Sequence, residues 1–286
     1  MSLPDQVTDN AYSNWVGRTE SACDVIVPSV VERLWATLDR NDAPPGPGDP
    51  LPALAHWLYF LSAPPHSMLG EDGHEQRGRF IPPIALPRRM WAGSKIAYHR
   101  PVRIGESAER RSTIRNIVEK EGRTGPLVFV TLCHEIMDAG GVAIEETQDI
   151  VYRGPLSPGV GPTPPKPEYE PEFSREVSPD AVMLFRYSAL TFNGHRIHYD
   201  RGYATDKEGY PGLVVHGPLI AALLVDLLER SLPGITPARL DVRAISPLFD
   251  GTPIHVHGCS RGKNQAKLWA CNPEGRLAMN ITVEAA

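Results

Sequence analysis

Asn193, His195 and His198 lie close together on one short segment, and their residue types suit proton chemistry. Imidazole is the side chain best able to give and take protons near neutral pH. A carboxamide cannot act as a base there, but it can hold a water. Asn193 and His198 are too far apart in sequence to stack on one helical face, whereas a turn leading into a short helix would aim both at one point. His216-Gly217-Pro218 follows, and then a long apolar run. Proline suits the first turn of a helix. The Gly217 N–H would therefore sit at the positive end of that helix, free to bond an oxygen that gains negative charge. A proton-transfer group near an oxyanion donor outlines an active site. Each residue also has an ordinary reading. Histidines serve as core hydrogen bonders, asparagine turns or caps a chain, and Gly-Pro often marks a plain helix start.

The elements that must position these residues are legible from periodicity. Leu219, Ile220, Leu223, Leu224, Leu227 and Leu228 form the apolar stripe of a helix over 217–232, stopped by Pro233-Gly234. Strands are expected at 238–245, 252–260, 265–271 and 276–283, and 181–189 also reads as strand-like. In the first half, 28–39 has the helical period, and alternating or β-branched runs at 95–98, 109–119, 127–137 and 141–151 predict an antiparallel meander. Between them, 63–83 is a long irregular stretch holding His66 and His74, read as a loop or lid. Pro101–Ala108 resembles Pro247–Ile254 in its place in the order of elements. The organisation expected is α+β, a helix wrapped by an antiparallel sheet occurring twice. Residues 1–153 and 179–286 form its two domains, and 154–178 is a proline-rich linker.

Composition narrows the function. A 41% hydrophobic and 22% charged chain reads as a globular protein, and a net charge of −5 supplies no basic field for nucleic acid. No apolar run reaches the ~20 residues that cross a bilayer, and the first residues are too polar for a signal or transit peptide. Four scattered cysteines without a Cys-x-x-Cys suggest reduced thiols in a cytoplasmic protein. His255 and His257 share a strand face, yet no partner stands at metal-ligand spacing, so no metal site is expected.

Asn193-Gly-His-Arg-Ile-His198, with Ala204 further on, resembles the (R)-specific enoyl-CoA hydratase motif of MaoC-like hot-dog proteins, Asp-x-Asn-Pro-Ile/Leu-His. Val-Val-His-Gly at 214–217 is similar to the start of their central helix. The likeness is strongest to the two-domain hydroxyacyl-thioester dehydratase type 2 group, which includes mesaconyl-C4-CoA and itaconyl-CoA hydratases. That group resembles this chain at Phe185–Asn193, His195–Asp200 and Leu86–Gly93. The resemblance implies a double hot-dog fold and a hydro-lyase acting on enoyl or 3-hydroxyacyl thioesters of coenzyme A or acyl carrier protein. It implies no metal or redox cofactor, one site per chain, and a homo-oligomer.

On this reading His198 is the acid–base group, Asn193 and His195 hold the water, and Gly217 is the oxyanion donor. Arg196 is either a fork for the carboxylate of a short dicarboxylic acyl chain or a surface residue paired with Asp200. Arg88 and Arg89 would meet coenzyme A phosphates, with Tyr199 and Trp91 completing the substrate contacts. The sequence departs from the general motif where Asn193 replaces Asp and His195-Arg196 replace Asn-Pro. Two other readings follow: a thioesterase, which would need Asp200 or Glu208 aimed at the thioester carbonyl, and a non-catalytic acyl-thioester-binding module.

Overall fold

Alternating side chains give each strand one face for the core and one for solvent, and antiparallel pairing then places the buried faces side by side. The computed structural model describes residues 11–122, 125–154 and 163–286. The first half supplies β1 (Thr19–Val25), β2 (Arg88–Tyr98), β3 (Ser107–Gly122), β4 (Gly125–Asp138) and β5 (Gly141–Arg153). The second supplies β6 (Phe173–Val177), β7 (Pro237–Ala244), β8 (Ile254–Ser260), β9 (Gln265–Cys271) and β10 (Leu277–Ala285). The two sets are not separate sheets. They join edge to edge, β2 pairing antiparallel with β7, into one ten-stranded sheet of order β1-β3-β4-β5-β2-β7-β10-β9-β8-β6.

Helix α1 (Pro28–Thr37) and helix α3 (Gly217–Ser231) stand where the apolar period places them. Between them, α2 (Ala181–Leu190) corrects the strand-like reading of 181–189. Asp180 caps it, its carboxylate accepting the Met183 N–H at 2.8 Å. Ala, Met, Leu and Arg favour helix, but Val182 and Phe185 face outward, so no single apolar stripe is visible in the sequence.

The halves differ in what covers their inner faces. Helix α3 lies against β6, β8, β9 and β10, with Leu219, Leu223, Leu224 and Leu228 almost wholly buried. Each such side chain contributes about 1.5–3 kcal/mol relative to exposure. In the first half α1 packs on α2. The apolar end of the β3–β4–β5 face is covered by the segment around Ile84, which meets Ile114, Ile117, Val130 and Ile150. The rest of that face opens into a cavity.

The expected linker is only partly described, since 155–162 lie outside the described residues. Within it, Phe173–Val177 is the edge strand β6, paired with β8. The two matching Pro-to-Gly stretches make equivalent turns, with Gly105 at φ +94° and Gly251 at φ +76°. All four cysteines are unpaired, Cys259 and Cys271 buried and Cys23 exposed. Among the described residues no helix is long and apolar enough to cross a membrane.

Candidate active site

A cavity of about 1490 Å³ lies between the halves. Its second-half wall begins where α2 ends. Asn193 accepts the His195 backbone N–H on Oδ1 at 3.0 Å, so the carboxamide shapes the turn, and the residue lines the cavity. A short 3₁₀ turn, Arg196–His198, follows. Buried His198 is fixed by a 2.7 Å hydrogen bond in which Nδ1–H donates to the Val214 carbonyl. That bond assigns the tautomer and leaves a lone pair on Nε2.

His216 stacks on His198, ring centroids 3.6 Å apart and planes 17° apart, and meets the Ser188 hydroxyl through Nε2 at 2.9 Å. His195 stands edge-on to His198 at 5.4 Å. Burial pushes all three imidazoles down. His198 titrates near 4 despite the Val214 carbonyl; His195 falls to about 2, with His74 and His198 adding repulsion, and His216 is also well below its usual value. At neutral pH the cluster is uncharged and its free nitrogens can accept protons.

Gly217 opens α3 with His216 as N-cap, and its N–H donates to no described residue. The glycine is needed for a second reason. A Cβ there would meet the Trp91 ring at 2.7 Å, so the first half presses directly on the start of α3. Trp91 is held by Nε1–H to Ser94 Oγ at 3.2 Å, and Ser94 donates to Glu146 at 2.5 Å. Glu146 is buried and also receives the Trp57 indole at 2.9 Å and His56 Nε2 at 3.1 Å. Burial raises its carboxyl, but the His56 hydrogen bond and charge outweigh this and hold it at about 2. No local motif in the sequence marks this network.

The arginines divide. Arg196 does not line the cavity. Nε and Nη2 both bond Asp200 Oδ2, at 3.0 and 2.7 Å, and Nη1 bonds the Glu71 carbonyl at 3.2 Å. Its fork is fully used, which corrects the expectation that it meets a substrate carboxylate. Arg88 pairs with Glu208 at 3.2 Å and lies over Tyr210, so it too is engaged within the protein. Arg89, the next residue along β2, points into the cavity, makes no ion pair among the described residues, and lowers the pKa of both His74 and His195 by its charge. Tyr199 stands half-exposed at the rim, its hydroxyl bonded to the Gly194 carbonyl at 2.9 Å. Asp200 and Glu208 are spent on Arg196 and Arg88, so neither carboxylate is available for attack on a thioester.

The residue sequence reasoning passed over is His74. Read as part of a loop, it instead packs on His195, ring centroids 4.0 Å apart. Its signal was indirect: a long irregular segment rich in polar and glycine residues inside a compact domain.

Comparison with known proteins gives the family and the fold. A family model for hydroxyacyl-thioester dehydratase type 2 matches residues 54–250. Mesaconyl-C(4)-CoA hydratase of Chloroflexus aurantiacus is 48% identical over 275 residues, covering 94% of this chain and 96% of that protein. The crystal structure of a MaoC-like dehydratase from Phytophthora capsici superposes with TM-score 0.66 at 14% identity, over 97% of this chain and 98% of that one. A conserved hypothetical protein of Mycobacterium tuberculosis with a double hot-dog fold gives TM-score 0.59 at 12% identity, over 94% and 96% of the two chains. The two structural likenesses establish the fold, a double hot-dog.

Proposed function

This chain belongs to the hydroxyacyl-thioester dehydratase type 2 family and is a hydro-lyase of acyl thioesters; from that premise we propose which groups do the chemistry and which acyl group they meet. The observation that carries the reading is the meeting of two free groups in one cavity: the lone pair on His198 Nε2 and the unpartnered N–H of Gly217. An enoyl thioester lies with its carbonyl oxygen at Gly217. A water held by Asn193 and His195 adds to C3 as His198 takes its proton, and the π electrons move onto the thioester oxygen at the positive end of α3. C2 is then protonated. The reverse sequence dehydrates a 3-hydroxyacyl thioester. The chain's own groups suffice for each step, with the coenzyme A thioester as substrate.

The acyl group is a short dicarboxylic one, as in the Chloroflexus relative's name. In a mesaconyl-C4 thioester the free carboxylate sits on the very carbon that accepts water. A cation to receive it must therefore stand beside the proton-transfer groups. Arg89 stands there without an ion partner, and an unpaired, partly buried guanidinium favours a carboxylate.

The test uses mesaconyl-C4-CoA and crotonyl-CoA, following enoyl absorbance and free thiol together. The expected result is loss of absorbance without thiol release. Arg89→Gln should reduce kcat/KM on mesaconyl-C4-CoA by roughly ten- to a hundred-fold, the scale of ~1.5–3 kcal/mol for a charged hydrogen bond, and change crotonyl-CoA little. Equal losses on both would remove Arg89 from substrate recognition. Thiol release would mean a thioesterase, and binding without turnover a binding module.

A further inference from the structure

Between the two transfers of hydration the water's proton rests on an imidazole while the enolate holds the matching negative charge at Gly217, so the imidazolium needs its own stabilisation. The water has given up a proton, C2 has not yet taken one, and the cavity holds an extra cation near Arg89. Where the general hydratase motif has a carboxylate, this chain has Asn193. Among the described residues, His195, His198 and His216 have no carboxylate in hydrogen-bond contact.

One carboxylate does reach the cluster, and it comes from the other half. The loop around 70–76 docks on the turn that carries the histidines. The Arg196 N–H donates to the Asp72 carbonyl at 2.9 Å, and Arg196 Nη1 reaches the Glu71 carbonyl. The two backbones touch at paired glycines. A Cβ on Gly73, itself at φ +84°, would lie 1.9 Å from the Gly194 carbonyl oxygen, and one on Gly194 would lie 2.9 Å from the Gly73 oxygen. Only glycine permits this approach on either side. Within the loop, Asp72 Oδ1 accepts the His74 backbone N–H at 3.0 Å and Oδ2 meets His74 Nδ1 at 3.1 Å. His74 Nε2 has no hydrogen-bond partner among the described residues, and its ring lies against His195 on the cavity wall.

Resting on the hydratase reading above, we propose that Asp72 and His74 form the carboxylate–imidazole pair of this active site, supplied by the first half in place of the carboxylate missing at Asn193. The water oxygen bonds to C3, its proton passes to His198, and the C2=C3 π pair becomes the enolate at Gly217. The proton passes by way of His195 to His74, where Asp72 balances the charge. His74 then gives a proton from Nε2 to C2 as the enolate collapses. One water is consumed, and the imidazoles gain no net proton.

Asp72 remains the anion throughout. Burial pushes its carboxyl up, but the His74 hydrogen bond and neighbouring charge hold it well below the usual range. Burial keeps His74 neutral at rest. Asp72, His74 and His195 do lie within 4.8 Å of one another. Both Asp72 oxygens are already bonded to His74, however, and Arg89 lies nearby, so the arrangement serves a proton better than a cation.

The test compares Asp72→Asn, His74→Gln and the double variant with the wild type on an enoyl-CoA that the wild type hydrates. Asp72→Asn keeps the backbone carbonyl that docks the loop. Each single variant should lose about 10²-fold in kcat with KM within about threefold, and the double variant should be no worse than His74→Gln alone. The charged groups facing His74 are Asp72, Arg77 and Arg89, and the titratable ones are His195 and His198. Removing the anion among them should move the acid limb of kcat/KM to lower pH. Gly73→Ala, which forces the loop off Gly194, should reproduce the loss in kcat with both side chains present. Asp72→Asn with kcat within threefold of wild type would overturn the proposal. So would a loss expressed only in KM, or loss of wild-type activity on chelation. If wild type hydrates no enoyl thioester, the hydratase reading fails and takes this one with it.

Discussion

The inner faces of the two halves share a strand plan and differ in chemistry. On β7–β10 the inward residues are Leu240, Val242, Ile281, Val283 and Leu268, all buried, and α3 lies over that half. At matching depth on β3–β5 the inward row holds Arg110, Ser112, His134, Glu146 and Gln148. His134 bonds Ser112 at 2.8 Å, and Glu146 collects three donors. A polar face cannot take an apolar helix without leaving its groups unpaired. The first half therefore keeps a cavity where the second keeps a core. One half stabilises the fold and carries the motif, while the other supplies the wall, Trp91, Arg89 and the docked loop.

The comparison breaks first at the motif. His198→Ala should lower kcat by two orders of magnitude or more and also lower Tm, since it leaves the Val214 carbonyl without its donor; near-normal turnover in the folded variant would remove His198 from catalysis. Truncation on the two faces should separate core from wall. Leu268→Ala, on the helix-covered half, is expected to cost ~2–5 kcal/mol, whereas Leu132→Ala, which borders the cavity, should cost ~1–2 kcal/mol. Urea unfolding of both decides it, and equal costs would mean that the first face is packed as tightly as the second. Gly217→Ala probes the seam, since its Cβ must displace Trp91. We expect ~1–3 kcal/mol of destabilisation with about tenfold slower turnover. Adding Trp91→Leu should restore Tm.

The smallest effect is with pH. The folded His198 and His195 bind protons only near pH 4 and 2, whereas in the unfolded chain they do so near ~6.5. Below that value the unfolded state holds more protons, so stability falls as pH drops from about 6.5 towards 4. Tm should be flat above pH 7.5 and decline below 6.5, and His195→Gln should flatten the decline. An unchanged slope would mean that His195 does not contribute to it.

Much of this was legible in the chain. The stripe from Leu219 to Leu228 demanded a buried helix, alternation gave eight of the strands their places, and the Asn193–His198 spacing with His216-Gly217-Pro218 pointed to acid–base and oxyanion groups. These are local signals, set by a period of 3.6 or 2 and by the fixed geometry of proline. They missed α2, whose apolar residues face both ways, and the single continuous sheet, because edge-to-edge pairing of β2 with β7 leaves no mark on either strand's own period.

Local sequence also determined which residue types were present to move a proton, but not which of them would meet. Arg196 offered the fork a carboxylate would want, and only the folded chain gave that fork to Asp200 and Glu71, the latter 125 positions away. His74 looked like loop and became a neighbour of His195 because two glycines let distant backbones touch. The titration of the cluster was likewise beyond the sequence. An imidazole's proton affinity depends on how much water its surroundings leave it and on which charges stand nearby, and long-range packing decides both.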